Sequence, residues 1–101
     1  MKNRTELAKY FATLGFTKGA EIGVQAGKYT KRLIESIPNL ELLCVDRWYG
    51  KHTFYERKFR YNLGHYPGII IKKGLSVEVA RTITNESLDF VFLTSMTELF
   101  S

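Results

Sequence analysis

The residues of this chain best suited to chemistry form two groups. The first is Ala20-Glu21-Ile22-Gly23-Val24-Gln25-Ala26-Gly27; the second is Asp46, 19 residues beyond Gly27 at the end of the apolar run Leu42-Leu43-Cys44-Val45. Gly23 and Gly27 fall where a strand gives way to a helix, and there a side chain would keep the backbone away from a ligand. The amides opening the next helix favour an electron-rich partner in the same space. Asp46, at the tip of the neighbouring strand, can accept hydrogen bonds from both hydroxyls of a ribose. Together the two groups predict a nucleoside pocket.

The glycine spacing narrows the ligand. A dinucleotide turn wants G-x-G-x-x-G, whereas this chain has Glu-x-Gly-x-x-x-Gly with Gln25 where a middle glycine would admit a pyrophosphate. NAD and FAD are disfavoured. Glu21 at the head of the turn would repel a phosphate but suits a ligand carrying an ammonium or sulfonium group.

The elements that must position these residues are legible in the hydrophobic pattern. Leu7, Tyr10, Phe11 and Leu14 follow helical spacing over residues 4 to 14, with Asn3 and Glu6 as an N-cap pair and Gly15 as the stop. A strand is expected over Ala20 to Val24, then a helix from Gly27 to about Ser36 with Tyr29, Leu33 and Ile37 one turn apart, ended by Pro38. Glu41 to Val45 reads as a strand buried on both faces. His52 to Leu63 reads as a helix with Tyr55, Phe59 and Leu63 inward. Ile69-Ile70-Ile71 is a short strand, Ser76 caps a helix to about Thr84, and Leu88 to Leu93 is a fourth strand. The alternation argues for an α/β fold, a Rossmann-like open parallel sheet of about four strands with helices on both faces.

Bulk properties exclude other classes. A chain of 101 residues with 45% hydrophobic and 14% aromatic content is a single folded domain, residues 1–101. No apolar run approaches the length of a membrane span, and Met1 to Glu6 lacks a secretory signal, so the default compartment is the cytoplasm. Cys44, the single cysteine, reads as a small buried hydrophobe. A net charge of +5 admits anionic partners. The basic and aromatic residues from Arg47 to His52, with Arg57, Lys58, Arg60 and Tyr61, could form a nucleic-acid surface, although a solvated helix with inward aromatics is the commoner origin of such a pattern. His52 and His65 are isolated, so no metal site can be named.

Four motifs in order carry a family resemblance: Glu21-Ile22-Gly23-Val24-Gln25-Ala26-Gly27, Val45-Asp46-Arg47-Trp48, Lys73-Gly74-Leu75-Ser76, and Ser87-Leu88-Asp89-Phe90-Val91-Phe92. Over most of residues 4 to 93 the chain resembles a class I S-adenosylmethionine-dependent methyltransferase, within the small group that includes O-methyltransferases of natural products and catechol-like substrates. The resemblance implies S-adenosylmethionine as cofactor and a small-molecule methyl acceptor. It implies that Glu21, Gly23 and Gly27 hold the methionine part, that Asp46 binds the ribose, that Trp48 borders the adenine, and that Gly74, Leu75 and Ser76 surround that base. The implied strand order is 3-2-1-4.

The chain departs from the family after the fourth strand, where an Asp followed by a His is expected and Leu93-Thr94-Ser95-Met96-Thr97-Glu98-Leu99-Phe100-Ser101 stands instead. No general base can be named. The expectation is a cofactor-binding half with an atypical tail at 94–101 and weak or absent methyl transfer by this chain alone. One origin for that tail is a frameshift: codons ending TG for Leu93 and AGC for Ser95 would encode Asp-x-His-Asp in the overlapping frame. The competing expectations are an inactive remnant that pairs with a second copy through an edge strand at 88–93, and a basic RNA-binding domain.

Overall fold

The computed structural model describes residues 3–74 and 88–93. In chain order the elements are α1 (Arg4–Thr13), β1 (Lys18–Ile22), α2 (Lys28–Ser36), β2 (Glu41–Asp46), a 3-10 turn (Gly50–His52), α3 (Thr53–Leu63), β3 (Ile69–Lys73) and β4 (Phe90–Leu93). The four strands form one parallel sheet in the order β3-β2-β1-β4, the order that the family resemblance implies. The helix expected over 76–84 lies outside the described residues.

Register sets which side chains share a face. Glu21 lies opposite Cys44 and Phe92, and Ile22 lies opposite Val45 and Leu93. On one face Leu42, Cys44 and Phe90 join Ala8 of α1, Leu33 of α2 and Phe59 and Leu63 of α3 in the main core. Burying each such large apolar side chain contributes about 1.5–3 kcal/mol. Ile22, Val45 and Leu43 form a small second cluster. Gly19 is glycine for a packing reason: the Phe90 ring occupies the space a Cβ would need, and that ring stacks on Phe11 at 4.7 Å.

Several boundaries differ from the sequence reading. β1 begins at Lys18 and ends at Ile22, because Gly23 turns at φ 83° and the amides of Gly23 and Val24 both donate to the Val45 carbonyl. Val24 is buried in the core without belonging to the strand. β3 continues through Lys72 and Lys73, whose exposed side chains suit the sheet margin. β4 is shorter than expected: Leu88 and Asp89 precede it, and the Asp89 amide donates to the Lys18 carbonyl at 2.7 Å.

The inward stripe of α1 is rotated from the expected one. Ala8 is fully buried and Phe11 and Ala12 pack on the core, while Tyr10 and Leu14 are exposed. In α2 the buried positions are Thr30 and Leu33, and Tyr29 is only half-buried. Arg4 explains that exception, since its guanidinium lies 3.8 Å above the Tyr29 ring.

Candidate functional site

The sequence folds β1 and β2 side by side, so the turn after Ile22 and the carboxylate of Asp46 meet at the same end of the sheet. There a cleft of about 390 Å³ opens, lined by Gly23, Gln25, Asp46, Trp48, His52, Tyr55 and Gly74 among others. It lies beyond the carboxyl ends of β1, β2 and β3, where open α/β sheets place ligands.

Asp46 is the centre of a closed set of hydrogen bonds. Its Oδ2 accepts from the Gln25 amide at 2.9 Å and its Oδ1 from the Trp48 amide at 2.9 Å. The Trp48 indole Nε1–H then donates to the Gln25 carbonyl at 2.8 Å. Gln25 and Trp48 both hold positive φ, 53° and 41°, conformations that cost a non-glycine residue about 1–3 kcal/mol. The three bonds, together with burial of Trp48 to 1% exposure against Phe59, hold that strain in place. A carboxylate offers about four acceptor sites. Each oxygen of Asp46 gives one to this clasp and keeps capacity for a further donor.

The other predicted residues divide by position. Gly23 and Gly74 line the cleft, and the Gly74 amide donates to the Asp46 backbone carbonyl at 3.0 Å. Leu75 and Ser76 lie outside the described residues. Glu21 is fully buried and accepts from the Thr30 hydroxyl at 2.6 Å, which ties α2 to the centre of β1; it does not line the cleft. Gly27 opens α2 at φ 93°, and a Cβ there would collide with Leu63 and crowd Phe59 at 2.9 Å. Its requirement for glycine thus comes from its left-handed backbone and from α3 packing against the turn. Trp48 reaches the cleft but is otherwise enclosed, so its indole is a fixed wall.

Tyr55 and His52 escaped the sequence reading as site residues. They stack at 5.5 Å and line the same cleft, Tyr55 half-buried and His52 exposed. The signal was the position of Tyr55 in the first turn of the helix that follows Asp46 in the chain. Cys44 is buried and its thiol titrates far above the usual range, chiefly through desolvation and then through the charge of Glu21, so it is no nucleophile. Among the described residues no group of three His, Cys, Asp or Glu side chains could hold a metal ion, and no helix is long and apolar enough to cross a membrane.

No protein-family model and no curated protein sequence matches the chain. Solved structures do. A cofactor-bound protein from MTB, Rv0187, aligns over 89% of this chain and 41% of its own, with a TM-score of 0.72 and 19% identity. An O-methyltransferase from Bacillus cereus in complex with SAH aligns over 89% of this chain and 42% of its own, with a TM-score of 0.69 and 21% identity. The resemblance noted in the sequence therefore holds at the level of the fold: the chain has the Rossmann-like sheet that these methyltransferase-type structures share. The chain spans about two-fifths of the length of the structures it matches.

Proposed function

We propose that the cleft binds S-adenosylmethionine and that the chain is the cofactor-binding part of a methyltransferase, with a small-molecule hydroxyl as the favoured acceptor. The observation that carries this reading is the carboxylate of Asp46, fixed by two backbone amides at the wall of a nucleoside-sized cleft. A ribose diol needs two acceptors held in a set geometry, and a carboxylate locked through one site on each oxygen supplies them. Tyr55 and His52, which line the same cleft, present aromatic surface for a base. Gly23 and Gln25 form the wall along which the amino-acid end would run; the Trp48 indole, bonded to the Gln25 carbonyl, fixes it, and Glu21 and Gly27 anchor the elements behind it. When bound, the sulfonium cofactor supplies an electrophilic methyl group; the chain's own part is to bind and orient it.

Calorimetric titration of the full chain with S-adenosylhomocysteine tests the reading. Saturable binding is expected, weakened about a hundredfold in Asp46→Ala through loss of two charged hydrogen bonds. A folded chain that binds none overturns it.

One observation favours a second, compatible role. Val91 and Leu93, 53% and 48% exposed, stand on the same face of β4, which among the described residues pairs only with β1. We infer that β4 offers a pairing surface to a second copy. Phe90, in the same strand, is buried and takes no part. Sedimentation should give a dimer that Val91→Lys returns to monomer; a monomeric wild type at high concentration removes this role.

A further inference from the structure

A second cavity, of about 420 Å³, lies between the start of α2 and the end of α3 and shares no described lining residue with the cleft. Lys28 and Lys31 of α2 line it, facing Lys58 and Asn62 of α3, with Tyr66 at one side and Gly27 between. No acidic side chain is among its described lining residues.

Among the described residues Glu56 and Glu41 are engaged elsewhere. Glu56 pairs with Arg60 at 3.0 Å and with Lys73 at 2.8 Å, and Glu41 with Lys18 at 4.0 Å. Among the described residues Lys31 alone of the three has a carboxylate neighbour, Glu35 at 3.9 Å, within its own helix. Lysines on a convex helix surface diverge into water, but here three of them line one concavity between two helices, whose walls concentrate their field, with the Lys28 ammonium at its margin 5.5 Å from the Tyr29 ring. The positive surface continues past Lys28 to Arg4 and Arg32, both over the Tyr29 ring.

We propose that this cavity binds a phosphate group. Three ammonium point charges, a side-chain amide and a phenol match a dianion with several acceptor oxygens. A carboxylate, planar with two oxygens, is better matched by an arginine fork. Two sources carry the same chemistry, a phosphorylated small molecule and a nucleic-acid backbone. The outer surface of α3, with Arg57 exposed and Tyr61 87% exposed, makes the second worth its own arm of the test.

The full chain is titrated calorimetrically with pyrophosphate at low ionic strength, beside a Lys28→Gln/Lys58→Gln double variant and Lys9→Gln on α1. Saturable binding is expected, about tenfold weaker in the double variant and unchanged in Lys9→Gln. Circular dichroism of each variant confirms that the fold persists. Absence of binding by the wild type, or equal weakening by Lys9→Gln, overturns the proposal. A single-stranded RNA that binds through the same two lysines identifies the nucleic-acid backbone as the source; pyrophosphate binding without RNA binding identifies a phosphorylated small molecule.

Discussion

Asp46 and Asp89 do the same thing at opposite ends of the sheet, and only Asp46 lines the cleft. Each captures two backbone amides with its carboxylate. Asp89, just before β4, takes the amides of Thr17 and Lys18 at 2.8 and 3.0 Å, both on Oδ2. It is exposed, and the elements it joins have ordinary backbone geometry, so the outcome is a clamp holding β4 beside β1. Asp46 takes its amides one on each oxygen, from two residues with positive φ, at the wall of a cleft. The chemistry is shared; the difference lies in what surrounds it. Concavity, stored backbone strain and unspent acceptor capacity on both oxygens turn a fold-holding contact into a place for a ligand.

The clasp around Asp46 should be the more costly of the two to break. Trp48→Ala removes a fully enclosed indole together with its bond to Gln25, and a loss of about 3–5 kcal/mol is expected in urea unfolding. Trp48→Phe keeps most of the packing and loses the hydrogen bond, so it should retain the fold and weaken S-adenosylhomocysteine binding by freeing the turn. Full-strength binding by a folded Trp48→Phe chain would show that the clasp does not position Asp46.

The two aspartates then separate by readout. Asp46→Ala should lose cofactor binding by about a hundredfold. Asp89→Ala should lower stability while leaving the affinity unchanged, because it acts on the amino ends of the strands, away from the cleft. If both substitutions weaken binding alike, the cleft is sensing global stability and the distinction between clamp and site fails.

Acid separates them more gently. The amides of Thr17 and then Lys18 hold the Asp89 carboxyl below its usual value, and the hydrogen bond from Lys73, with help from Arg60, does the same for Glu56. A carboxylate whose folded value is lowered stabilises fully above its unfolded value, near pH 4, and loses that contribution as pH falls through the folded value. Unfolding curves from about pH 5 to 2 should therefore show stability falling with acid, and falling less steeply in Asp89→Asn. Identical slopes in wild type and variant would remove Asp89 as an acid-sensitive clamp.

Much of this was legible in residue types and spacing. Glycines after a strand and an acid at the next strand tip located the cleft, and the alternation of elements gave the sheet. What stayed hidden has physical reasons. Glu21 reads as a pocket acid because buried carboxylates are rare. Its partner Thr30 lies nine residues on, and only the inward spacing of Thr30, Leu33 and Ile37 hints at a polar group needing satisfaction. Gly27 reads as a ligand-facing glycine until α3 is seen packed against it. The positive φ values of Gln25 and Trp48 belong to residue types that rarely adopt them, so no local rule predicts them.

Gln25 offers the smallest and most discriminating change. Gln25→Gly relieves a left-handed conformation that costs a non-glycine residue about 1–2 kcal/mol, but it adds entropy to the unfolded chain, so the net stability should stay within about 1 kcal/mol of wild type. The backbone amide to Asp46 and the carbonyl that accepts from Trp48 both survive, since neither belongs to the side chain. Cofactor affinity should therefore hold, measured by the same calorimetry. The turn would also gain the middle glycine of a dinucleotide fingerprint without the third glycine's spacing, so NADH should still fail to bind. A loss of S-adenosylhomocysteine affinity in this variant would mean that the Gln25 side chain itself reaches the ligand, moving the site's selectivity from the backbone to a residue the glycine pattern treats as a spacer.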